Sequence, residues 1–319
     1  MSPWWTDAVE LEFWAFSDWS DKKVGQDFLD SLARFGFAIK KFGDEDPPRD
    51  KFKTSQSLVS RVWSAETDQL ILKGSTTHNF EVTVHLNPRK GVLPHSLHFR
   101  IDEQYFQREN ALKFLTFAET AYSLFAPVYG SIGHTRDRYR KTVLETPIQV
   151  SGRILHEEAH ISVNPTWGLP GIYWANFLGP KFVSFYSQTK LLAAPVYAKK
   201  ELSDGGFLIL TSSSPLDYPK AETEKLEQDL IEYLGRDTIF DKNSPDRILK
   251  SPFLPLGKRV SSPSVKPLSS SFSKPNLRSC PKCGESKNIQ ELSRDETIDL
   301  VGFKCTRCGE SWAVHTSLL

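Results

Sequence analysis

Asn79-Phe-Glu-Val-Thr-Val-His85 and Ser96-Leu-His-Phe-Arg-Ile101 decide the fold class. In both, every second residue is apolar (Phe80, Val82, Val84; Leu97, Phe99, Ile101). That is the period of a strand with one face in a core. Upstream, Val9–Phe16 opens as a strand, and a helix follows with Ser20 or Asp21 as its cap. Phe28, Leu29, Leu32 and Phe35 share one face of that helix, and Gly36 ends it. Phe37–Phe42, Val59–Ser64 and Asp68–Lys73 are further strand candidates, with a loop over Gly43–Asp50. Downstream, residues 110–128 predict a long helix with a broad apolar stripe that includes Leu115, Phe117, Ala118 and Phe125.

Gly130-Ser-Ile-Gly-His134 with Arg136, Asp137 and Arg138 reads as a polar loop with charge pairs, and secondly as a binding site. Beyond it, Ile172–Phe177 predicts a strand and Pro180–Leu191 a helix. Val196–Lys200 and Phe207–Ser212 predict a hairpin across Ser203-Asp-Gly-Gly206. A helix over Ala221–Leu234 ends at Gly235. The expected class is α+β, with a mixed or antiparallel sheet and packed helices. The similar order of elements in residues 1–140 and 141–243 raises the possibility of a duplication.

The composition is that of an ordinary globular chain: 319 residues, 39% hydrophobic, 25% charged, net charge +1. A chain so nearly neutral is not built as a whole to embrace polyanions. No apolar run approaches the ~20 residues of a membrane span. Met1-Ser-Pro-Trp-Trp-Thr-Asp7 lacks the basic and apolar regions of a secretory signal, so cytoplasm is the expected compartment. Residues 241–280 hold six prolines and ten serines, and Arg247–Gly284 carries eight Lys or Arg and no acid. These features predict a basic linker over 244–278, between a body at 1–243 and a small module at 279–319. Weak contact with nucleic acid is a second role for that linker.

All four cysteines lie in that module, as Cys280-Pro-Lys-Cys283 and Cys305-Thr-Arg-Cys308. Two Cys-x-x-Cys turns offer four thiolates, which a tetrahedral Zn2+ takes at about 2.3 Å. Residues 297–303 and 311–316 read as the strands beside the second turn, and the whole resembles a zinc ribbon with one structural zinc. So few residues bury too little apolar surface to fold without the metal.

His156-Glu157-Glu158-Ala159-His160 matches H-E-x-x-H, which on a helix would place two zinc ligands, His156 and His160, beside a general base, Glu157. A metalloprotease is therefore a remote alternative. Against it, Ile161-Ser-Val163 is strand-prone and Pro165 closes the window. No dinucleotide or P-loop glycine motif and no nucleophile elbow is present.

Trp167-Gly-Leu-Pro-Gly-Ile-Tyr-Trp-Ala-Asn-Phe-Leu-Gly-Pro180, followed by Lys190-Leu-Leu-Ala-Ala-Pro195, resembles the signature of the immunity protein 52 family. The resemblance implies an α+β cytoplasmic protein that binds and neutralises a cognate toxin of a bacterial contact-dependent system. Its specific part covers residues 167–195, and the cysteine module lies outside it. Trp174 and Asn176 match the family run most directly and are the binding candidates the resemblance carries. Packing is the other reading of both. Elemental mass spectrometry is expected to find one zinc per full chain and none in residues 1–243. Zinc retained by residues 1–243 would instead revive the metalloprotease reading of His156, Glu157 and His160.

Overall fold

The structure is a computed structural model. It describes residues 7–75, 79–86, 94–107, 110–150, 153–160, 165–244, 247, 249–253, 289–295, 300–308 and 311–315. The chain divides into two compact units, one of residues 1–144 with 158–260, the other of residues 145–157 with 261–319.

The first unit is built on a ten-stranded, wholly antiparallel sheet. Its strands are β1 (Ala8–Ala15), β2 (Ile39–Gly43), β3 (Asp50–Lys51), β4 (Gln69–Ser75), β5 (Asn79–His85), β6 (His95–Asp102) and β7 (Tyr129–His134). The chain returns to the same sheet with β10 (Ala175–Leu178), β11 (Ala198–Glu201) and β12 (Phe207–Leu210). The order is β11-β12-β10-β7-β1-β6-β5-β4-β2-β3, which puts the first strand in the middle. Between β7 and β10, β8 (Val143–Val150) and β9 (Arg153–His160) pair in a separate two-stranded sheet.

The register sorts residues into alternating rows. Phe42, Leu72, Val82, Phe99, Leu11, Ile132, Ala175 and Leu210 stand opposite one another in turn across eight strands. This face is covered by α1 (Lys22–Arg34), α2 (Ser55–Val62) and α3 (Asn110–Phe125), whose apolar stripes join the strands in one core. The aromatic content predicted by 21 phenylalanines is concentrated here. Phe37 lies with its ring centroid 5.0 Å from Phe99, 5.2 Å from Phe117 and 5.6 Å from Phe80. The buried indoles of Trp19 and Trp63 donate to the Phe125 and Trp19 carbonyls, both at 2.8 Å, so neither N–H is stranded. On the opposite face a second core joins β7, β10 and β12 to α5 (Pro180–Tyr186), α6 (Gln188–Leu192) and α7 (Ala221–Leu234).

The helix ends follow from local chemistry. The Asp21 carboxylate accepts from the Lys23 amide at the start of α1, and Gly36 takes φ +88° just beyond its end. Three expectations are corrected. Val59–Ser64 is not a strand but falls mostly in α2, because Thr54 and Ser57 form a reciprocal capping box that starts a helix. Gly130–His134 is not a loop but β7, buried at every position. A Cβ at Gly130 would lie 2.1 Å from Phe13 Cδ1, so glycine there makes room for a ring on the neighbouring strand. The helix expected over 180–191 is two helices, broken at Ser187 with φ +68°.

In the second unit, β13 (Ile289–Asp295), β14 (Leu300–Cys305) and β15 (Ser311–His315) form an antiparallel sheet in that order. Cys305 ends β14 and Cys308 lies in the turn after it; Cys280, Cys283 and the proposed linker beyond Phe253 lie outside the described residues. No described helix is long and apolar enough to cross a membrane. Phe37→Ala is expected to cost about 3–5 kcal/mol of stability in urea titration, the usual range for a large aromatic removed from a packed core.

Candidate functional site

The second face of the sheet changes character at β1. Towards β12 it carries no charge and packs into the second core, while from β1 to β3 its rows carry charge. One row runs Lys51, Lys41, Lys73, Glu81, Arg100, Glu10, each opposite the next. The next row includes Thr83, His98, Glu12, Ser131 and Asn176. Strand alternation places Glu10 and Glu12 side by side on the central strand, where Glu10 is only 4% exposed. Two carboxylates so placed need compensation.

Compensation comes from three side chains, one on a helix and two on β6. Arg138, on α4 (Thr135–Thr142), sends Nη1 to Glu12 Oε2 at 2.8 Å. Its Nη2 donates to the Glu10 carbonyl at 3.1 Å and to Ser131 Oγ at 3.0 Å, and its guanidinium lies 4.5 Å from the Tyr173 ring centre. Arg100 Nε donates to Glu10 Oε1 at 3.0 Å. His98 Nδ1 sits 3.5 Å from Glu10 and 3.4 Å from Glu12, with Trp14 edge-on to its ring at 5.8 Å. At the start of α4, His134 Nδ1 accepts from the Arg136 amide, so its Nε2 carries the proton it donates to Glu103 at 2.8 Å.

The electrostatics follow from this packing. Burial alone would raise the Glu10 carboxyl, but the His98 hydrogen bond and the charges of Arg138 and Arg100 hold it down at about 2. Glu12 is lowered as well, its burial outweighed chiefly by Arg138. Burial would depress His98, yet its two carboxylate partners push it up to about 9. Near neutral pH the cluster is therefore two carboxylates among one imidazolium and two guanidiniums. Neighbouring His85 is lowered by burial and by the charge on His98.

Glu10, Glu12 and His98 place ligand atoms within 4.8 Å of one another and could hold a metal ion. A metal would have to displace the His98 proton and compete with two guanidiniums for the same carboxylates. The geometry favours the ion network.

The residues singled out from sequence fall elsewhere. Trp174 and Asn176 are 4% and 1% exposed. The Trp174 indole donates to the Ser212 carbonyl at 3.0 Å, while Asn176 bridges the backbone N–H and C=O of Tyr173. Their polar groups are spent inside, and Asn176 holds the backbone of Tyr173, whose ring lies beneath Arg138. His156, Glu157 and His160 lie on strand β9 rather than the helix that H-E-x-x-H zinc chemistry requires. At ~3.3 Å per strand residue, Cα atoms four positions apart are ~13 Å distant, against ~6 Å on a helix. Among the described residues Cys305 is buried and Cys308 exposed, and no disulfide joins them. The cluster at Glu10, Glu12, His98 and Arg138 was not found by motif. The one signal was Arg138 within the polar 130–138 stretch.

No protein-family model and no curated protein sequence matches the chain. Among solved structures, the chain is similar to a T6SS protein of Pseudomonas aeruginosa. The two share 13% identity and a TM-score of 0.45, over 74% of this chain and 82% of that one.

His98 sets a pH signature. Its folded pKa is raised from 6.5 to about 9, so its contribution to stability is complete below 6.5 and lost as pH rises through 9. For Glu10 the contribution is present above 4.5 and lost as pH falls through about 2. The urea midpoint is thus expected to decline between pH 6.5 and 9.5, and His98→Gln to flatten that decline. An unchanged slope in the variant would place the titration elsewhere.

Proposed function

We propose that this protein is a non-catalytic binding protein that neutralises a protein partner, and that the charged half of its second sheet face receives that partner. The observation that carries this is the state of the central cluster. Its carboxylates and imidazole are drawn into ion pairs with pKa values far from neutrality, about 2 for Glu10 and about 9 for His98. A general acid or base works best with a pKa near the operating pH. Fixed charges held by a rigid sheet suit recognition instead, by steering a partner and fixing its register.

Towards the sheet edge the row ends on exposed Lys41 and Lys51, beside Lys73. That end of the face complements an acidic protein surface. The resemblance of residues 167–195 to the immunity protein 52 family supplies the partner's class, a bacterial toxin domain. In this reading Trp174 and Asn176 act from within by setting Tyr173 and the strand above it. Cys280, Cys283, Cys305 and Cys308 hold one structural zinc, with Cys305 and Cys308 at the strand end and turn such a site uses.

Co-expression of the full chain with toxin domains of contact-dependent systems is expected to restore growth against one of them. Lys41→Glu with Lys51→Glu should then weaken the purified complex about 10–100-fold, mainly in association rate and more at low salt. Full lethality of every toxin tried, or a complex indifferent to both reversals, would count against this reading.

A further inference from the structure

We propose that the cleft between α4, α7, residues 236–243 and Arg247 is a binding site for a small amphipathic carboxylate, one acid group on an apolar body. The site is separate from the charged sheet face and does not depend on the partner reading. Its volume is about 320 Å³, the size of a small organic molecule rather than of an inorganic ion or a peptide. Ile231 and Phe240 supply apolar wall over the buried Ile172 and Ile239, within a lining that is more polar than apolar. Ile172 and Ile239 belong to the second core, so that wall is anchored.

The charges around the mouth are uneven. Five basic and three acidic side chains line the cleft. The acids are already engaged: Glu224 with Arg140 at 3.0 Å, Glu227 with Lys141 at 2.7 Å, and Asp241 with Arg247 at 3.1 Å. Lys242 differs. Its ammonium donates to the Val143 carbonyl at 3.2 Å and, among the described residues, has no carboxylate within ion-pair distance. An ammonium beside an apolar wall, with donors to spare, is a receptor for an anion that carries a hydrocarbon.

The acid deepest in the wall does not oppose this. Glu227 is 2% exposed, and burial raises its carboxyl to about 7 against the pull of Lys141. It is faced from α4 by Lys141, Asp137 and Arg140, and from its own helix by Glu224. Whatever charge it carries is met by the Lys141 ammonium at 2.7 Å, so it does not stand unopposed against an incoming carboxylate.

Calorimetric titration of the full protein with sodium 4-phenylbutyrate tests the proposal. One site per chain is expected, with a Kd of about 0.1–1 mM, the range for a dozen heavy atoms in a preformed cleft. 4-Phenylbutan-1-ol, which keeps the body and lacks the charge, and acetate, which keeps the charge alone, should each bind at least about tenfold more weakly. Lys242→Gln should cost about tenfold for phenylbutyrate and nothing for the alcohol. The proposal is overturned if phenylbutyrate produces no saturable heat at 10 mM-scale concentrations (roughly ten times the weakest expected Kd). It is equally overturned if the alcohol binds as well as the acid, or if Lys242→Gln binds the acid like the parent. The probe comparison uses the unaltered chain, so it decides even if a variant misfolds.

Discussion

Two glutamates two residues apart on the most central strand set the problem that the second face of this protein solves. Glu10 and Glu12 point the same way because a strand alternates, and the sheet leaves Glu10 almost without solvent. An uncompensated buried carboxylate would either destabilise the fold or take up a proton. Arg138, Arg100 and His98 prevent both. Once Arg138 is committed to Glu12, the Glu10 carbonyl and Ser131, the position of α4 against the sheet is fixed as well. Removing one member of such a network leaves a charge stranded, and so costs more than the network contributes as a whole.

From α4 the consequences spread in two directions. Arg138 turns to the sheet, while Asp137, Arg140 and Lys141 turn to α7, where Lys141 bridges Asp137 and Glu227 at 2.7 Å each. Tyr173 lies between the two cationic groups, 4.5 Å from Arg138 and 5.0 Å from Lys141. Asn176 holds its backbone on both sides, accepting from the N–H and donating to the C=O. Trp174 and Asn176 are themselves buried. One short, polar helix connects the ion network of the sheet to the cleft beside α7.

Much of the fold was legible because its signals are local. The alternation in residues 79–85 and 96–101 depends only on the period of a strand, and α1 is bounded by Asp21 and Gly36 through contacts within a few residues. Where neighbours in space decide, reading failed. Gly130 and Gly133 look like loop residues in isolation, yet β7 needs glycine where Phe13 and Tyr173 press against it. Valines at 59 and 62 favour a strand by propensity, and a capping box overrode them. Val9–Phe16 reads as a strand, but nothing near Glu10 and Glu12 in the chain reveals that the strand becomes central.

By itself, then, the sequence determined the α+β class, the main helices and several strands, the aromatic character of the core, and the spacing of the cysteines as two Cys-x-x-Cys pairs. These rest on periodicity, caps and short spacings. Tertiary structure alone decided that Arg138 meets Glu12 across 126 positions and the Glu10 backbone across 128. It also decided that H-E-x-x-H lies on a strand, and that Lys242 borders a cleft with an apolar wall. The reason is physical. Strand order and register are set by which apolar faces can be buried together over the whole sheet, and that sum has no local signature.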